Sequence, residues 1–421
     1  MKMEPFGFLL IPKALFMDIE NIRNQFPIFK AKKLDEHPFV YFDNASTTHK
    51  PQQVIDAITN FYSSTYANIG RGSYTDAHAA TTSYEAVRHH VAQFINAKSS
   101  KEVVFTSGTT DGINKLALSY FKAFAQPGDQ VLISSQGHHS NRLIWEQLAS
   151  DFKLSVKEIP CHLNGELDMN AFEELCQFKT TLVAIEAGTN AFGTLQPISE
   201  LINIAHRAHA KVLVDAAQWI NYTTTDVQAW DCDFMVFSAH KMYGPTGLGV
   251  LYGKSEWLNR LPPMSLGGGG VLRTVPETLF KESPHKHEAG TPHMAGVMGL
   301  EAALKFIEEI GFDTIKKHAD ELLDYLLQNL RSINGLTIYQ HLTAPALPIV
   351  SFNLSEIHPH DMGAFLNESN ICLRAGHHCA QPALMQEGLT STLRASLAIY
   401  NTKSEIDMLL KQLLAAKKFF S

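Results

Sequence analysis

Short apolar runs alternate along the first part of the chain with segments whose apolar positions recur at helical spacing. The runs are rich in β-branched and aromatic residues, and their apolar character is continuous, as in strands covered on both faces. Helical segments such as residues 199–210 supply crossovers between parallel strands. The pattern predicts an α/β fold with a mainly parallel, doubly wound sheet of about seven strands. The predicted strands are residues 40–45, 102–108, 130–135, 154–159, 181–187, 211–217, 233–240 and 248–253.

The pattern changes at residue 262. Residues 262–292 are rich in Gly and Pro and predict an irregular, functional loop. Helices followed by clustered strands then favour a smaller α+β domain. Its predicted helices are residues 294–310, residues 314–330 and a last helix from Ser404, and its predicted strands are residues 336–340, 347–354, 371–376 and 393–401.

Charge and cysteine content narrow the functional classes. The 421 residues carry a formal net charge of -7 at pH 7, which gives no general attraction to nucleic acid or to anionic membranes. The five cysteines lack a C-x-x-C pair, which argues against a disulfide framework and favours the reducing cytoplasm.

The N-terminus contains an apolar run at residues 6–17 that could be taken for the core of a signal peptide. Pro12 and Lys13 interrupt this run and Glu4 precedes it, which is not typical of a signal peptide. We expect translation to begin at Met17 and residues 1–16 to be an extension. No other stretch approaches the roughly 18 uncharged apolar residues of a membrane-spanning helix, so we expect no membrane partner.

Two charged residues follow predicted buried strands. Asp215 ends the run "KVLVD", at the edge where open α/β sheets bind ligands, and could hold a pyridinium N–H; capping of the next turn is the alternative. Lys241 follows the next run in "SAHK", where burial would lower its pKa and suit it to bond an aldehyde. The alternative is a solvated lysine.

Two further clusters complete a pattern. The stretch "TSGTTDGIN", residues 106–114, leads from a strand into a helix whose first amides could bind phosphate; helix capping by Thr109 or Thr110 is the alternative. His138 of "GHHSN" could stack on a flat aromatic cofactor or be an ordinary loop histidine. A phosphate site, a stacking ring, an anion and an amine together describe pyridoxal phosphate.

The order of motifs resembles the class V aminotransferase group of fold-type I enzymes, from about Met17 to the C-terminus. Within that group the chain is similar to the group II, SufS-type cysteine desulfurases, which include selenocysteine lyase-like members. The most specific motifs are "SAHKMYGPTG" and "RAGHHCA", and the others are "YFDNAST", "RGSYT", "SGTTDGIN", "GHHSN", "VLVDAAQ", "EAGTP" and "RASLAIYNT".

The resemblance implies a role for each matching residue. Lys241 would bond covalently to the cofactor, Asp215 would pair with its pyridine nitrogen, His138 would stack on its ring and Gln218 would hydrogen-bond its ring hydroxyl. Lys241, Cys379 and His138 would be the catalytic residues. Thr291 would reach the phosphate from the second subunit of a homodimer. The other residues expected around the phosphate are Thr109, Thr110, Ser238 and His240.

The same resemblance implies a substrate and a reaction. Arg394, with Arg374 and Asn190, would bind the carboxylate of L-cysteine, or of L-selenocysteine, since guanidinium suits bidentate contacts. Cys379 would take the substrate sulfur as a persulfide, leaving L-alanine. A sulfur-acceptor protein of the SufE or SufU type would then receive the sulfur for iron–sulfur cluster assembly.

The resemblance also implies four segments. These are an N-terminal extension (1–16), a segment that packs on the small domain (17–35), a large cofactor-binding domain (36–293) and a small domain that carries the Cys379 loop (294–421).

Two alternatives to a cysteine desulfurase follow from the same residues. One is a relative that cleaves selenocysteine or another β-substituted amino acid. The other is an inactive scaffold that binds the cofactor, or zinc through His377, His378 and Cys379 with His358 and His360.

The chain departs from the usual family text at four places. Gly70 stands where a histidine is common, Gly137 where a glutamate is common and Ala239 where a glycine is common, and "EAGTN" replaces "HVSN"-like text.

Overall fold

A computed structural model describes residues 18–32, 38–162, 165–339 and 345–420. The expected extension 1–16 lies outside these residues, as do Met17 and residues 33–35 of the next segment. The described chain starts with two short helices, α1 (Ile19–Asn24) and α2 (Pro27–Ala31), and a two-residue strand, β1 (Val40–Tyr41). Two longer helices, α3 (Gln52–Ser64) and α4 (Thr75–Phe94), follow.

A seven-stranded sheet forms the centre of the molecule. Its strands are β2 (Val103–Thr106), β3 (Gln130–Ser134), β4 (Ser155–Ile159), β5 (Thr180–Glu186), β6 (Lys211–Asp215), β7 (Phe234–Ser238) and β8 (Gly249–Gly253). Their order is β2-β8-β7-β6-β5-β3-β4. Only β8 runs antiparallel to its neighbours. The connecting helices are α5 (Thr109–Phe124), α6 (Leu143–Phe152), α7 (Met169–Cys176), α8 (Ile198–Arg207), α9 (Val227–Trp230) and α10 (Ser255–Arg260).

Both faces of this sheet are covered by apolar side chains. Along β6, Val212 and Val214 enter the apolar cluster on one face, and Leu213 enters the cluster on the other face. Successive side chains of a strand point to opposite faces, so a continuous apolar run is what a doubly covered strand requires. The predicted α/β fold is therefore confirmed, except that the edge strand β4 is partly exposed.

The C-terminal part contains a second, smaller sheet. In sheet order, its strands are β11 (Leu336–Ile338), β12 (Ile349–Leu354), β15 (Thr392–Ser396) and β14 (Arg374–Gly376), and all of them are antiparallel. A hairpin of β9 (Val271–Arg273) and β10 (Leu279–Phe280) precedes it. The remaining elements are α11 (Met294–Ile310), α12 (Phe312–Leu330), α13 (Pro359–Glu368), β13 (Ile371–Cys372), α14 (Gln381–Gln386) and α15 (Lys403–Phe420).

Two sequence predictions need correction. The run 40–45 forms only the short strand β1, which pairs with β13 rather than with the large sheet, because its next residues turn into the loop of Asp43. Residues 262–292 are not wholly irregular, since they contain the β9–β10 hairpin. The domain boundary at residues 293 and 294 stays a prediction; α11 packs closely against α3 and α4.

The N-terminal helices tie the two parts of the molecule together. The fully buried Phe26 ring lies 4.7 Å from the Tyr400 ring and 5.5 Å from the Phe306 ring, measured between centroids. Arg23 forms an ion pair with Glu405 at 2.7 Å. Within the described part of the chain, no helix combines the length and the apolar character that crossing a bilayer requires.

Candidate active site

The carboxyl ends of β5, β6 and β7 meet at one cavity of about 450 Å³. Parallel strands end on the same edge of a sheet, so each contributes its last residues to this opening. Glu186 ends β5, Asp215 ends β6, and Ser238 ends β7 just before Lys241. Strands and a loop of the smaller sheet close the other side, with Arg374, Arg394 and Cys379 among the lining residues.

Lys241 and Asp215 form the charged centre of the cavity. Burial lowers the pKa of Lys241 to about 8, although the Asp215 carboxylate opposes this change. Burial also raises the pKa of Asp215, against the effects of Lys241 and of the Ala217 N–H that donates to its Oδ1 at 2.9 Å. A lysine with a lowered pKa has the unprotonated amine that an aldehyde requires.

The backbone around Lys241 is firmly held. The carbonyl of the preceding residue, His240, accepts the Thr48 N–H at 3.0 Å and the Lys50 Nζ at 2.9 Å. The carbonyl of Lys241 accepts the Asn221 Nδ2 at 2.7 Å. Because these contacts restrain the backbone, the side chain is the part of Lys241 that can change conformation.

The first turn of α5 lies beside the end of β7. The Thr109 N–H donates to Ser238 Oγ at 2.8 Å, and the two hydroxyls are 2.7 Å apart. Gly108 precedes the helix with φ 154°. A Cβ on Gly249 would lie 2.5 Å from the Cα of Gly108. Glycine at both positions therefore brings the helix N-terminus close to the strand end, where Thr110 also lines the cavity.

His138 lies after β3 and faces the same cavity. Its Nδ1 is 2.8 Å from Ser140 Oγ and accepts the Ser140 N–H at 3.1 Å. Burial, helped by the charge of Lys241, lowers the pKa of His138 to about 3. Its imidazole ring is therefore neutral at physiological pH.

A buried arginine, Arg394, an exposed arginine, Arg374, and one carboxylate shape the far side of the cavity. Asp43 accepts from Arg374 Nε at 3.0 Å and from Arg374 Nη2 at 2.8 Å, and it lies 3.4 Å from Arg394 Nη2. Arg394 Nη1 also donates to the carbonyl of Asn190 at 2.8 Å. Burial lowers the pKa of Arg394 to about 10, so this guanidinium remains charged. Arg374 is the more exposed of the two.

Cys379 lies on the loop between β14 and α14, and its side chain is exposed at the cavity. His378 and Cys379 both adopt the left-handed region, with φ 55° and 54°, which costs about 1–3 kcal/mol per non-glycine residue. His139 holds this loop: its N–H donates to the Cys379 carbonyl at 2.8 Å, and its Nε2 accepts the Gln381 N–H at 3.2 Å.

One buried group of the small sheet and one from the loop after β5 also hold the same loop. His378 Nε2 lies 2.8 Å from Thr392 Oγ1, and Asn190 Nδ2 donates to the His378 carbonyl. The nucleophile proposed from the sequence is thus positioned by several distant segments of the chain.

The cavity offers the donor set that pyridoxal phosphate requires. The α5 N-terminus with nearby hydroxyls suits a phosphate, a neutral imidazole suits the ring face, and Asp215 and Lys241 suit the ring nitrogen and the aldehyde. Four buried polar atoms of lining residues also lack a hydrogen-bond partner within the described chain, as expected of a ligand site: Arg394 Nε, Asn190 Oδ1, Glu186 Oε2 and His378 Nδ1.

Most residues proposed from the sequence meet in this one cavity. The lining residues among them are Thr109, Thr110, His138, Asn190, Asp215, Gln218, Ser238, His240, Lys241, Arg374, Cys379 and Arg394. The exception is Thr291, which is exposed and lines a separate cavity of about 630 Å³ with Gly70 and Arg71. The amide nitrogen of Gln218 already donates to the Ala45 carbonyl at 2.8 Å.

The zinc-site alternative needs three ligating side chains close together. Among the residues that the structure describes, which include His358, His360 and His377, no three His, Cys, Asp or Glu side chains are so grouped. His378 directs its Nε2 at Thr392 instead. The structure therefore gives the zinc alternative no support.

Sequence reasoning overlooked three residues that serve this site. Asp43 interrupts the apolar run 40–45, and Glu186 lies near the end of the run 181–187, so an acidic residue in an otherwise apolar run was the available signal for both. His139 adjoins His138 and had no separate signal, because its contacts are with residues more than 200 positions later.

Comparisons with known proteins agree with one another. A family model described as aminotransferase class-V matches residues 40–409. A cysteine desulfurase of Dickeya dadantii (strain 3937) is 42% identical over 394 residues, which cover 93% of this chain and 95% of that protein. A probable cysteine desulfurase of Halalkalibacterium halodurans is 40% identical over 405 residues, which cover 96% and 99%.

Solved structures give the same result. The crystal structure of the cysteine desulfurase CsdA from Escherichia coli has a TM-score of 0.88 and 36% identity, and the match covers 96% of this chain and 99% of that one. The apo structure of a cysteine desulfurase from Thermococcus onnurineus NA1 also has a TM-score of 0.88, with 33% identity over 93% of this chain and 96% of that one.

Proposed function

The chain belongs to the class-V aminotransferase family and, within it, to the cysteine desulfurases, which depend on pyridoxal phosphate; on this premise we propose that Cys379 receives the sulfur of L-cysteine as a persulfide. The observation that carries the proposal is that Cys379 and Lys241 line one cavity although they lie far apart in the sequence. The products are the persulfide and L-alanine.

The cofactor is held by residues from several elements. The α5 N-terminus with Thr109, Thr110, Ser238 and His240 holds its phosphate, and Asp215 holds its ring nitrogen. The remaining contacts come from His138 on the ring face, Gln218 at the ring hydroxyl and Lys241 at the aldehyde. When bound, pyridoxal phosphate accepts the electron pair that is released when the α-proton of the amino acid is removed.

Arg394 binds and orients the substrate carboxylate. Its Nε lacks a partner in the described chain, and a guanidinium can offer a carboxylate two parallel hydrogen bonds. Asn190 supports Arg394 through its carbonyl, and Asp43 restrains both Arg394 and Arg374. Arg394 lines the same cavity as Lys241 and Cys379, so a substrate bound through its carboxylate lies in the space that these two residues share.

Lys241 serves as the base of the reaction. Its lowered pKa of about 8 leaves a useful fraction of neutral amine near neutral pH, which suits removal of the substrate α-proton. His138 stays neutral because its pKa is about 3, so it adds no charge beside the ring.

Cys379 then takes the sulfur. Its thiolate attacks the substrate sulfur, so that a new S–S bond forms while the Cβ–S bond of the substrate breaks. The carbon skeleton keeps the electron pair of the broken bond, takes up one proton at Cβ, regains one at Cα in place of the α-proton that was removed, and leaves as L-alanine. Because Cys379 lies on an exposed loop, the persulfide can also reach an acceptor protein.

The proposal extends to partners and location. We propose a cytoplasmic homodimer that passes sulfur to an acceptor protein of the SufE or SufU type for iron–sulfur cluster assembly. Support for the dimer comes from Thr291, which lies outside the cavity of its own chain and remains exposed. All five cysteines are unpaired, which fits a reducing compartment.

The decisive test is mass spectrometry of the holoenzyme incubated with L-cysteine, combined with an assay for L-alanine. Added sulfur is expected on Cys379 alone. Cys379→Ser should keep its bound cofactor and lose at least a hundredfold of its alanine production, because the hydroxyl is a far weaker nucleophile than a thiolate. Cys161→Ser, which changes a partly exposed thiol elsewhere, serves as the matched control. Sulfur release by Cys379→Ser at the unaltered rate would refute the proposal.

A further inference from the structure

Glu186 is a buried carboxyl group in the active-site cavity to which no role has been given. It ends β5 and is 4% exposed. Its Oε1 accepts the hydroxyl hydrogen of Ser134 at 2.6 Å. Its Oε2 is buried and has no hydrogen-bond partner in the described chain. A buried carboxyl oxygen without a partner on a cavity wall points to a contact with a ligand.

The absence of a side chain at residue 137 makes room for this oxygen. A Cβ on Gly137 would lie 3.5 Å from Glu186 Oε2 and 3.3 Å from the Ser134 carbonyl. A larger side chain there would compete with the carboxyl group for the same space. Gly137 directly precedes His138, so Oε2 lies next to the turn that carries the stacking histidine.

The Ser134 hydroxyl determines which oxygen can carry a proton. Ser134 Oγ accepts the Gln136 N–H at 3.0 Å, and its own hydrogen therefore points to Glu186 Oε1. A hydroxyl that donates to Oε1 leaves Oε2 as the oxygen on which a proton can reside. Protonated Glu186 would then be a hydrogen-bond donor aimed at the cavity.

The charges around Glu186 favour this protonated form. Burial, with a smaller contribution from the charge of Asp215, its register partner on β6, raises the pKa of Glu186 to about 7 against the opposing effect of the Ser134 hydrogen bond. Lys241 follows β7, on the opposite side of β6, and His138 on the loop after β3 is neutral. Among the described residues, no cation lowers the pKa of Glu186 in the way that Lys241 lowers the pKa of Asp215.

We propose that Glu186 is a further cofactor-binding residue, whose protonated Oε2 donates a hydrogen bond to an acceptor atom of bound pyridoxal phosphate and leaves Asp215 as the only carboxylate beside the ring. This inference rests on the proposed function and adds a residue to its site. The donor is neutral, so it holds the ring without adding a second negative charge next to Asp215.

The role has a pH signature. Bound cofactor keeps the proton on Glu186, whereas the unoccupied site loses it as the pH rises above about 7. Because the cofactor binds the protonated form, its affinity should fall by up to about tenfold per pH unit above that value. A glutamine at this position has an amide donor that does not titrate, so this component of the pH dependence should vanish.

The test is equilibrium dialysis of the holoenzyme against graded concentrations of pyridoxal phosphate at pH 7.0 and about pH 8.5, with retained cofactor measured by its visible absorbance. Glu186→Gln should bind as tightly as the wild type at the lower pH and about tenfold more tightly at the higher pH. Glu186→Leu, which lacks any donor, should bind about tenfold more weakly at the lower pH. Glu200→Gln, at an exposed position of α8, should match the wild type at both.

Equal affinities and equal pH slopes for the wild type, Glu186→Gln and Glu186→Leu would overturn the inference. Gly137→Leu gives a second measurement, because its side chain would extend beyond a Cβ that already lies 3.5 Å from Oε2, in van der Waals contact, without removing the carboxyl group; it should weaken binding, and unaltered binding would count against the inference. A wild-type protein that retains no pyridoxal phosphate would instead refute the proposed function.

Discussion

At the scale of single residues, the cavity is lined by charged side chains, and some of their polar atoms have no hydrogen-bond partner in the described chain. Lys241 lies next to Asp215, and Arg394 lies near Asp43 while keeping its Nε without a partner in the described chain. Burying an ionised group without full compensation is unfavourable. Such incomplete pairing is expected where a ligand supplies the missing charge, and it distinguishes these residues from ordinary buried ion pairs.

Arg394→Lys should weaken substrate binding while cofactor binding stays the same. Lysine keeps the positive charge but loses the planar pair of donors, so about 2 kcal/mol of charged hydrogen bonding should be lost. We expect KM for L-cysteine to rise about thirtyfold, measured by steady-state alanine production. Arg331→Lys, at an exposed position after α12, is the control. An unchanged KM in Arg394→Lys would show that another group binds the carboxylate.

At the scale of elements, function depends on how closely the end of one element approaches another. The N-terminus of α5 reaches the end of β7 only because Gly108 and Gly249 lack side chains. His139 holds the loop of Cys379, in which two residues adopt the left-handed backbone region, against the loop after β3. The geometry of the cavity is therefore set by contacts between loops and element ends rather than by the middle of the sheet.

Gly249→Ala should disturb the proposed phosphate site. The added Cβ would lie 2.5 Å from the Gly108 Cα and 2.7 Å from the Phe237 carbonyl, and backbone atoms cannot yield as a flexible side chain can. We expect a loss of about 1–3 kcal/mol in unfolding free energy and weaker cofactor retention, measured by denaturant unfolding and by absorbance of dialysed protein. Gly363→Ala in α13, whose Cβ would have its nearest neighbour at 3.7 Å, should change neither.

His139→Ala should loosen the loop of Cys379. The variant loses the acceptor of the Gln381 N–H, which is worth about 1 kcal/mol and should raise loop opening about fivefold. Faster hydrogen exchange at residues 374–386 and faster iodoacetamide alkylation of Cys379 would report this change. His89→Ala, at an exposed position of α4, is the control. Equal exchange rates in both variants would contradict a holding role for His139.

At the scale of the whole molecule, the hairpin region between the two sheets exposes apolar side chains. Leu272 is 60% exposed and Val275 is 79% exposed, and the same segment leads to Thr291. An exposed apolar patch beside polar residues is typical of an interface. This region is where we expect the second subunit of the proposed homodimer to bind.

The combined variant Leu272→Asp, Val275→Asp should weaken self-association. Light scattering should give the wild type a mass twice that of one chain, and the variant should shift toward a single chain on dilution, because charged groups oppose burial in an interface. It should also retain less cofactor if Thr291 reaches the phosphate of the partner. Leu414→Asp on α15, another exposed apolar position, is the control. A wild type that remains a single chain would refute the proposed dimer.

Much of the fold could be predicted from the sequence because buried strands and helices show a local pattern of apolar residues. The runs that became β5 to β8 are apolar apart from residues at their ends, and all but two of their residues are buried. The helices predicted at residues 294–310 and 314–330 correspond to α11 and α12. The run 40–45 misled the prediction because local apolarity does not reveal which sheet a strand will join.

The candidate site was predicted in part. Asp215 and Lys241 could be found because each follows a buried strand, and the motif resemblance added residues such as His138 and Cys379. The carboxylate that restrains both arginines could not be found in this way: Asp43 and Arg374 are separated by 331 positions. The sequence around each residue gives no indication of its contact with the other.

The sequence by itself therefore determined the class of fold, the order of its elements and the chemical groups available to the site, because periodicity and residue type are properties of short segments. Only the tertiary structure decided which of these groups meet: that Gly137 leaves room for Glu186, that His139 holds the Cys379 loop, and that Thr291 stays outside the cavity of its own chain. Such contacts depend on strand order and on the packing of distant segments, and these follow from the whole chain at once.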